Sequence, residues 1–125
     1  MHLNKLLFYT INRHYPDIKN NENLAISLLE TFIDRQIYLI INWLRVGFIH
    51  GVQNSDNVTL SGETIDYGPC SFMDYYNPKT VFSSIDHQGR YSFMNQELIC
   101  HWNVSRFAET LIPFFSDNQK KSIEI

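Results

Sequence analysis

Three oxygen-bearing side chains occur close together near the middle of the sequence, in the segment HGVQNSDNVTLSGETIDYG at positions 50–68. Asp56 and Asn57 precede a short β-prone stretch, and Asp66 follows it. Carboxylate and amide oxygens are the ligands that Mg²⁺ prefers, and usually only one or two come from protein, with phosphates and water supplying the rest. The segment therefore predicts a magnesium site. The alternative is that Asn57 and Asp66 are turn residues, as Asn and Asp often are.

The stretch between these residues has the pattern of a small β-hairpin. Residues 58–60 and 64–65 are β-prone, and Ser-Gly-Glu at 61–63 forms the turn signal. Because paired strands lie about 4.8 Å apart, both ends of a hairpin meet at the same place. We therefore expect the side-chain oxygens of Asn57 and Asp66 to lie within about 5 Å of each other, close enough to share an ion. Gly68 is expected to allow a sharp turn after the second ligand.

Helices must position this hairpin, because apolar residues recur at helical spacing on both sides of it. The first helix is predicted near the N-terminus and ends before Pro16. A long second helix is predicted from an N-cap at Asn21 or Asn23 to a C-terminal Gly47. A last helix is predicted from 95 to 112, stopped by Pro113, with a frayed tail at 116–125. The predicted fold class is mainly α with a small β-hairpin. The apolar stripe of the long helix comprises Ala25, Leu28, Leu29, Phe32, Ile33, Ile37, Ile40, Ile41 and Leu44.

Composition restricts the class of protein. With 125 residues, 44% of them hydrophobic, the chain fits one small domain or a piece of a larger one. A net charge of −3 gives no basic stripe, which argues against a nucleic-acid partner. The longest apolar run, 37–44, is much shorter than the roughly 20 residues of a membrane span, and the N-terminus lacks a secretory signal pattern. We therefore expect no membrane partner, a cytoplasmic location, and free thiols at Cys70 and Cys100.

The residues around the hairpin also match a spacing found in protein kinases. Kinases carry H-R-D-x-x-x-x-N, then a short segment, then D-F-G. Here His50 precedes Asn57 by seven residues, as in kinases, and D-Y-G stands at 66–68. Val52 occupies the position of the kinase base and cannot accept a proton, so Asp56 is the nearest spare carboxylate. We expect His50 to support the loop by hydrogen bonding rather than to act as a base.

Longer motifs resemble one family, selenoprotein O, also called the YdiU or UPF0061 family. The resemblance rests on HGVQNSDN at 50–57, TIDYGP at 64–69, SSIDHQGRYSF at 83–93 and WNVSRFAETLIPF at 102–114. It implies a partial kinase-like C-terminal lobe over 1–115, with a catalytic loop at 50–57 and a metal loop at 66–68. It also implies transfer of AMP from ATP to Ser, Thr or Tyr hydroxyls of proteins. By position, Asp56 would be the proton acceptor, and Asn57 and Asp66 the Mg²⁺ or Mn²⁺ ligands, with Asp66 also near the nucleotide phosphates.

The chain departs from that family in its nucleotide pocket. The resemblance implies an upstream lobe with a glycine-rich segment and a phosphate-binding Lys, whereas no glycine precedes Gly47 here. We therefore expect a fragment that binds ATP poorly and does not transfer AMP alone. It is either a truncated gene product or one piece of a split gene whose upstream lobe is separately encoded. The alternatives are a non-catalytic remnant or interaction module, and a small-molecule phosphotransferase, against which Val52 counts. Some members of one set of large apolar residues should then be exposed, the set being Phe32, Ile40, Trp43, Phe72, Trp102, Phe107 and Phe114.

A second polar cluster follows the hairpin. Asp86, His87 and Arg90 lie where kinases place substrate-facing residues, and a surface-loop role and a substrate role both remain open. Zinc binding by His87 with Cys70 or Cys100 matches no known ligand spacing.

Overall fold

Three helices and one small antiparallel sheet make up the protein, in a computed structural model that describes residues 2–115. Helix α1 is His2–His14, α2 is Leu24–Val46 and α3 is Asn95–Phe115. Strands β1, Phe48–Ile49, and β2, Ser71–Phe72, form the sheet. Short 3₁₀ helices lie at Pro16–Ile18 and Ser55–Asn57. The mainly α fold class is therefore confirmed, whereas the predicted tail at 116–125 lies outside the described residues.

The ends of α2 lie where the sequence places them. Asn23 is the N-cap, and its side chain accepts a hydrogen bond from the backbone N–H of Ile26 at 3.1 Å. Gly47 ends the helix in a left-handed conformation. Helix α1 likewise ends at His14, just before Pro16. Local signals were sufficient at these three boundaries, because a cap or a proline acts within one turn of its own position.

Two apolar clusters hold the helices together. In the first, Leu7, Ile11 and Tyr15 pack against Leu28 of α2 and Leu111 of α3. In the second, α2, β1 and α3 meet through their buried side chains, which are Ile40, Trp43, Phe48 and Cys100. The second cluster lies directly behind β1, so the strand that leads into the candidate site rests on the main helix pair.

The C-terminal boundary of α3 was predicted wrongly. The helix continues through Pro113 to Phe115 instead of stopping at Ile112. A proline inside a helix removes one backbone donor and crowds the carbonyl four residues before it, so other contacts must favour the helical path beyond Ile112. Phe114 and Phe115 pack against the first cluster, and the carbonyl of Phe115 accepts a hydrogen bond from Asn23 at 3.2 Å. Tertiary packing therefore favours the extra turn.

The predicted hairpin is present as a turn rather than as two strands. Its pairing is a single bridge between Val58 and Thr64, joined by a hydrogen bond from Thr59 N–H to the Glu63 carbonyl at 2.9 Å. The regular sheet lies further out, with Phe48 opposite Phe72 and Ile49 opposite Ser71. This sheet was not predicted. Its two strands lie directly before and after segment 50–70, so their pairing holds the two ends of that segment together.

The expectation that some of these apolar residues are exposed is confirmed. Phe72 and Trp102 are exposed, by 61% and 38%, whereas Phe32, Ile40 and Trp43 are buried. The buried face of α2 is instead the set Ala25, Leu28, Phe32, Gln36, Ile40 and Trp43. Ile37 and Ile41, on the predicted stripe, remain 49% and 57% exposed. The fold thus buries a narrower face of α2 than its sequence offers.

Candidate active site

The candidate site is the segment 50–68, which leaves β1 and returns to β2. Asp56 and Asn57 lie in the 3₁₀ helix Ser55–Asn57, with Asp56 exposed and Asn57 half-buried. Asp66 is exposed on the returning side. The backbone N–H of Ile65 donates to the carbonyl of Asn57 at 2.9 Å. The structure therefore brings Asn57 beside the residue that precedes Asp66, so the two predicted metal ligands occupy neighbouring positions.

The side chain of Asn57 has a fixed orientation. Its Nδ2 donates to the main-chain carbonyl of Val52 at 2.7 Å. Because the amide nitrogen is engaged in this way, the amide oxygen is the atom left to act as a ligand, and an oxygen is what a hard cation requires. Val52 occupies the position of the kinase base and has no side chain that accepts a proton. Its main-chain carbonyl instead orients the Asn57 amide.

Asp66 has an unusual backbone conformation. Its φ is 58°, and it is the one non-glycine residue with positive φ in the described part of the chain. Asp tolerates this region better than most residues, and such conformations are concentrated at functional sites. The chain also bends at Gly68, as predicted, although the φ of that glycine is not positive. The left-handed conformation lies instead at the carboxylate-bearing residue itself.

His50 supports the loop from inside, as predicted. Its ring is fully buried and stacks on Trp43, with ring centroids 5.7 Å apart. Nε2 lies 2.9 Å from the carbonyl of Ile65, and Nδ1 accepts from the backbone N–H of Val52 at 3.3 Å. The ring is therefore neutral, with its proton on Nε2. Burial lowers its pKa from the ordinary value of 6.5, opposed in part by the Ile65 carbonyl and the charge of Asp66.

Gly51 brings the two sides of the segment into contact. Its φ is 93°, and a Cβ at this position would lie 3.0 Å from the carbonyl oxygen of Pro69. Only glycine fits this close approach without strain. The His-Gly dipeptide at 50–51 therefore has a structural explanation that the sequence alone did not supply.

Three side chains bind the tip of the turn, and we call Tyr15, Arg35 and Gln36 the tip clamp. They donate to three consecutive main-chain carbonyls. Tyr15 Oη binds Leu60 at 2.7 Å, Arg35 Nη1 binds Ser61 at 2.7 Å, and Gln36 Nε2 binds Gly62 at 2.6 Å. Sequence analysis missed these residues. The available signal was Gln36, a polar residue four positions from both Phe32 and Ile40 and hence on the buried face of α2.

The donor set fits a magnesium-type ion better than a zinc-type ion. Within residues 2–115, no three His, Cys, Asp or Glu side chains are grouped closely enough to hold a metal. An amide oxygen and one carboxylate match the small number of protein ligands that Mg²⁺ takes when it binds together with phosphates. Cys70 and Cys100 are free thiols, as predicted, and neither forms part of a metal cluster in the described region.

The cluster after the hairpin has a structural role. The two carboxylate oxygens of Asp86 accept from the backbone N–H groups of Arg90 and Tyr91, each at 2.9 Å. The Arg90 guanidinium lies 5.0 Å from the ring centroid of Trp102 on α3. These contacts fix the loop before α3.

No helix in the described residues is long and apolar enough to cross a membrane.

Known proteins similar to this chain agree on one family. The family model described as Protein adenylyltransferase SelO matches residues 1–123. A protein nucleotidyltransferase YdiU from Alcanivorax borkumensis is 61% identical over 122 residues, which are 98% of this chain and 25% of that protein. Proteins of the same name from Pelagibacter ubique and Clostridium beijerinckii are 58% and 59% identical, over 96% and 98% of this chain and 25% of each relative. The chain thus spans about a quarter of the length of these relatives, and it belongs to the SelO family of protein adenylyltransferases.

Proposed function

We propose that this chain carries the catalytic and metal-binding loops of a protein adenylyltransferase that transfers AMP from ATP to Ser, Thr or Tyr hydroxyls of proteins. The observation that supports this most is the pairing of Ile65 with Asn57, together with the hydrogen bond from the Asn57 amide to Val52. These two contacts present an amide oxygen next to Asp66. We further propose that residues 1–115 correspond to part of a kinase-like C-terminal lobe.

In this proposal the three predicted site residues have separate roles. Asn57 and Asp66 would hold Mg²⁺ or Mn²⁺, which neutralises phosphate charge when it is bound. Asp66, on the exposed left-handed turn, would also lie near the nucleotide phosphates. Asp56 would accept the proton of the attacking hydroxyl, because its carboxylate is exposed next to Asn57.

The reaction balances with these residues and two substrates. The hydroxyl oxygen of the protein substrate forms a bond to the α-phosphorus of ATP, the bond from that phosphorus to the bridging oxygen breaks, and pyrophosphate leaves. The hydroxyl proton passes to Asp56. Because the chain spans a quarter of its relatives, we propose that ATP affinity and turnover require the remaining sequence, supplied as an upstream lobe in the same or a separate chain.

Metal binding by the chain itself is the first test. We expect Mn²⁺ to broaden the NMR signals of residues near 57 and 66, and Asp66→Asn to raise the Kd for Mn²⁺ more than tenfold. Asn is chosen because it tolerates positive φ and so removes only the charge. Asp74→Asn, at an exposed position with the same charge change, is the control. Equal affinities in the two variants would refute the metal site.

The reaction type is tested with labelled ATP in a preparation that contains the full catalytic region. We expect label from the α-phosphate to reach protein, and Asp56→Ala to lower the rate by about 10²–10⁴-fold, the usual contribution of a general base. Asp66→Asn should be at least as damaging. Label transferred from the γ-phosphate would indicate a kinase, and metal binding without any transfer would favour a non-catalytic interaction module.

A further inference from the structure

Two buried carboxamides on α3 face the candidate site. Gln96 and Asn103 are seven residues apart, which is close to two helical turns and places them on the same face of the helix. Both are buried, with exposed fractions of 1% and 4%. Buried amides are uncommon unless their polar atoms have partners, so the partners of these two indicate what the helix face does.

Gln96 binds the strand that leads into the loop. Its Nε2 donates to the carbonyl of Phe48 at 2.9 Å, and its Oε1 accepts from the backbone N–H of His50 at 3.1 Å. Alternate residues of an extended chain direct their main-chain polar groups to the same side, so Phe48 of β1 and His50, which directly follows β1, present their polar groups along one edge. The carboxamide takes the place of a neighbouring strand at this edge, and it ends on the first residue of the loop.

Asn103 binds the middle of the loop. Its Nδ2 donates to the main-chain carbonyl of Gln53 at 3.0 Å. The side chain of Gln53 is itself buried, and its Nε2 lies 3.4 Å from Oγ1 of Thr64. Thr64 forms the bridge with Val58 and lies two residues before Asp66. A connected path of hydrogen bonds therefore runs from α3 through the loop to the residues next to the second ligand.

We propose that Gln96 and Asn103 are positioning residues that fix the course of the loop 50–57 and thereby the placement of Asn57 relative to Asp66. The two amides bind the loop at its start and its middle, while Asn57, at its end, is paired to Ile65. The part of this inference that concerns metal affinity rests on the proposed function. The part that concerns loop geometry stands on the hydrogen bonds alone.

The test separates positioning from a general effect on stability. Gln96→Leu and Asn103→Leu remove the loop contacts, and Leu111→Ala, buried in the same helix but packed in the first cluster, is the control. In Gln96→Leu we expect the His50 amide to exchange with solvent at least tenfold faster than in the control, and amide shifts to change as far as Asn57. In both loop variants we expect the Kd for Mn²⁺ to rise at least tenfold, with no change in folded Leu111→Ala.

The outcomes are distinguishable. If the unmodified chain binds no Mn²⁺, the proposed metal site fails, and the exchange and shift data alone decide the positioning inference. Wild-type exchange and shifts over 50–57 in Gln96→Leu would overturn that inference. If Gln96→Leu does not fold, Gln96→Glu replaces it, because the carboxylate keeps the acceptor for His50 N–H and loses only the donor to Phe48. The readout is then the amide shifts from Phe48 to Asn57, which we expect to change because a carboxylate oxygen faces the Phe48 carbonyl. Wild-type shifts over this range would contradict the proposal.

Discussion

Replacement of Arg35 should destabilise the chain more than replacement of any exposed arginine. Arg35 donates to two carbonyls, Ser61 at 2.7 Å and His14 at 2.8 Å, and its guanidinium carbon lies 3.9 Å from the ring centroid of Tyr15. The side chain thus joins the end of α1, the middle of α2 and the tip of the turn. Arg35→Met removes all of these contacts and keeps most of the side chain's apolar bulk.

The magnitude follows from the contacts. A hydrogen bond from a charged donor contributes about 1.5–3 kcal/mol, and a cation–π contact about 0.5–2 kcal/mol. Arg35 is only partly buried, so water can satisfy some of the released carbonyls and the contributions do not add fully. We expect Arg35→Met to lower the free energy of unfolding by about 3 kcal/mol. Arg35→Lys, which keeps the charge but not the fork of two donors, should lose roughly half as much.

Urea unfolding, followed by tryptophan fluorescence, measures this difference. Arg45→Met is the matched control, because Arg45 lies on the same helix, is exposed, and within residues 2–115 hydrogen-bonds only to the side chain of Asn42. We expect a change below about 0.5 kcal/mol there, as for most exposed polar contacts. Equal losses in Arg35→Met and Arg45→Met would show that the tip clamp does not stabilise the fold.

Three further predictions concern titration, thiol reactivity and association. Burial lowers the pKa of His50, so the neutral ring stabilises the fold above about pH 6.5, and this stabilisation is lost as pH falls through the lower pKa of the folded state. NMR titration of His50 should give a midpoint below 6.5. A midpoint at or above 6.5 would contradict the buried neutral ring. Burial raises the pKa of Cys100 to about 11, so iodoacetamide at pH 8 should label half-buried Cys70 more than tenfold faster, and equal rates would show that Cys100 is accessible. Ile37 and Ile41 border an apolar groove of about 590 Å³ between α2 and α3, so the chain should self-associate in sedimentation experiments. Replacing both residues with Lys should yield a monomer without loss of stability. Association that the double substitution does not change would place the contact elsewhere.

The sequence predicted the elements whose signals are local. Helix periods, the Asn23 cap and the Gly47 terminus each depend on residues within a turn or two, and all appear in the structure. The convergence of Asn57 with the residue before Asp66 was predicted because a turn brings its two ends together. The separation of their side-chain oxygens stays a prediction.

Contacts between distant residues could not be predicted in the same way. The strands β1 and β2 have two residues each, which is too short for an alternating pattern to be recognised. Gln96 binds His50 and Phe48, which precede it by 46 and 48 positions in the sequence. Nothing in the sequence distinguishes this glutamine from one on an exposed helix face. The positive φ at Asp66 could not be predicted either, because residue type alone favours glycine wherever φ is positive.

The tip clamp has a consequence for which substitutions the turn can accept. All three of its hydrogen bonds end on main-chain carbonyls, of Leu60, Ser61 and Gly62, so none depends on the side chain that the turn residue carries. Gly62 is the exception, because a Cβ there would lie 3.0 Å from the Arg35 side chain and its φ is 87°. A substitution at position 60 or 61 therefore leaves the clamp's own hydrogen bonds in place, and the backbone path to Asp66 is retained. Surface chemistry next to the site can diversify independently of the geometry on which the site depends.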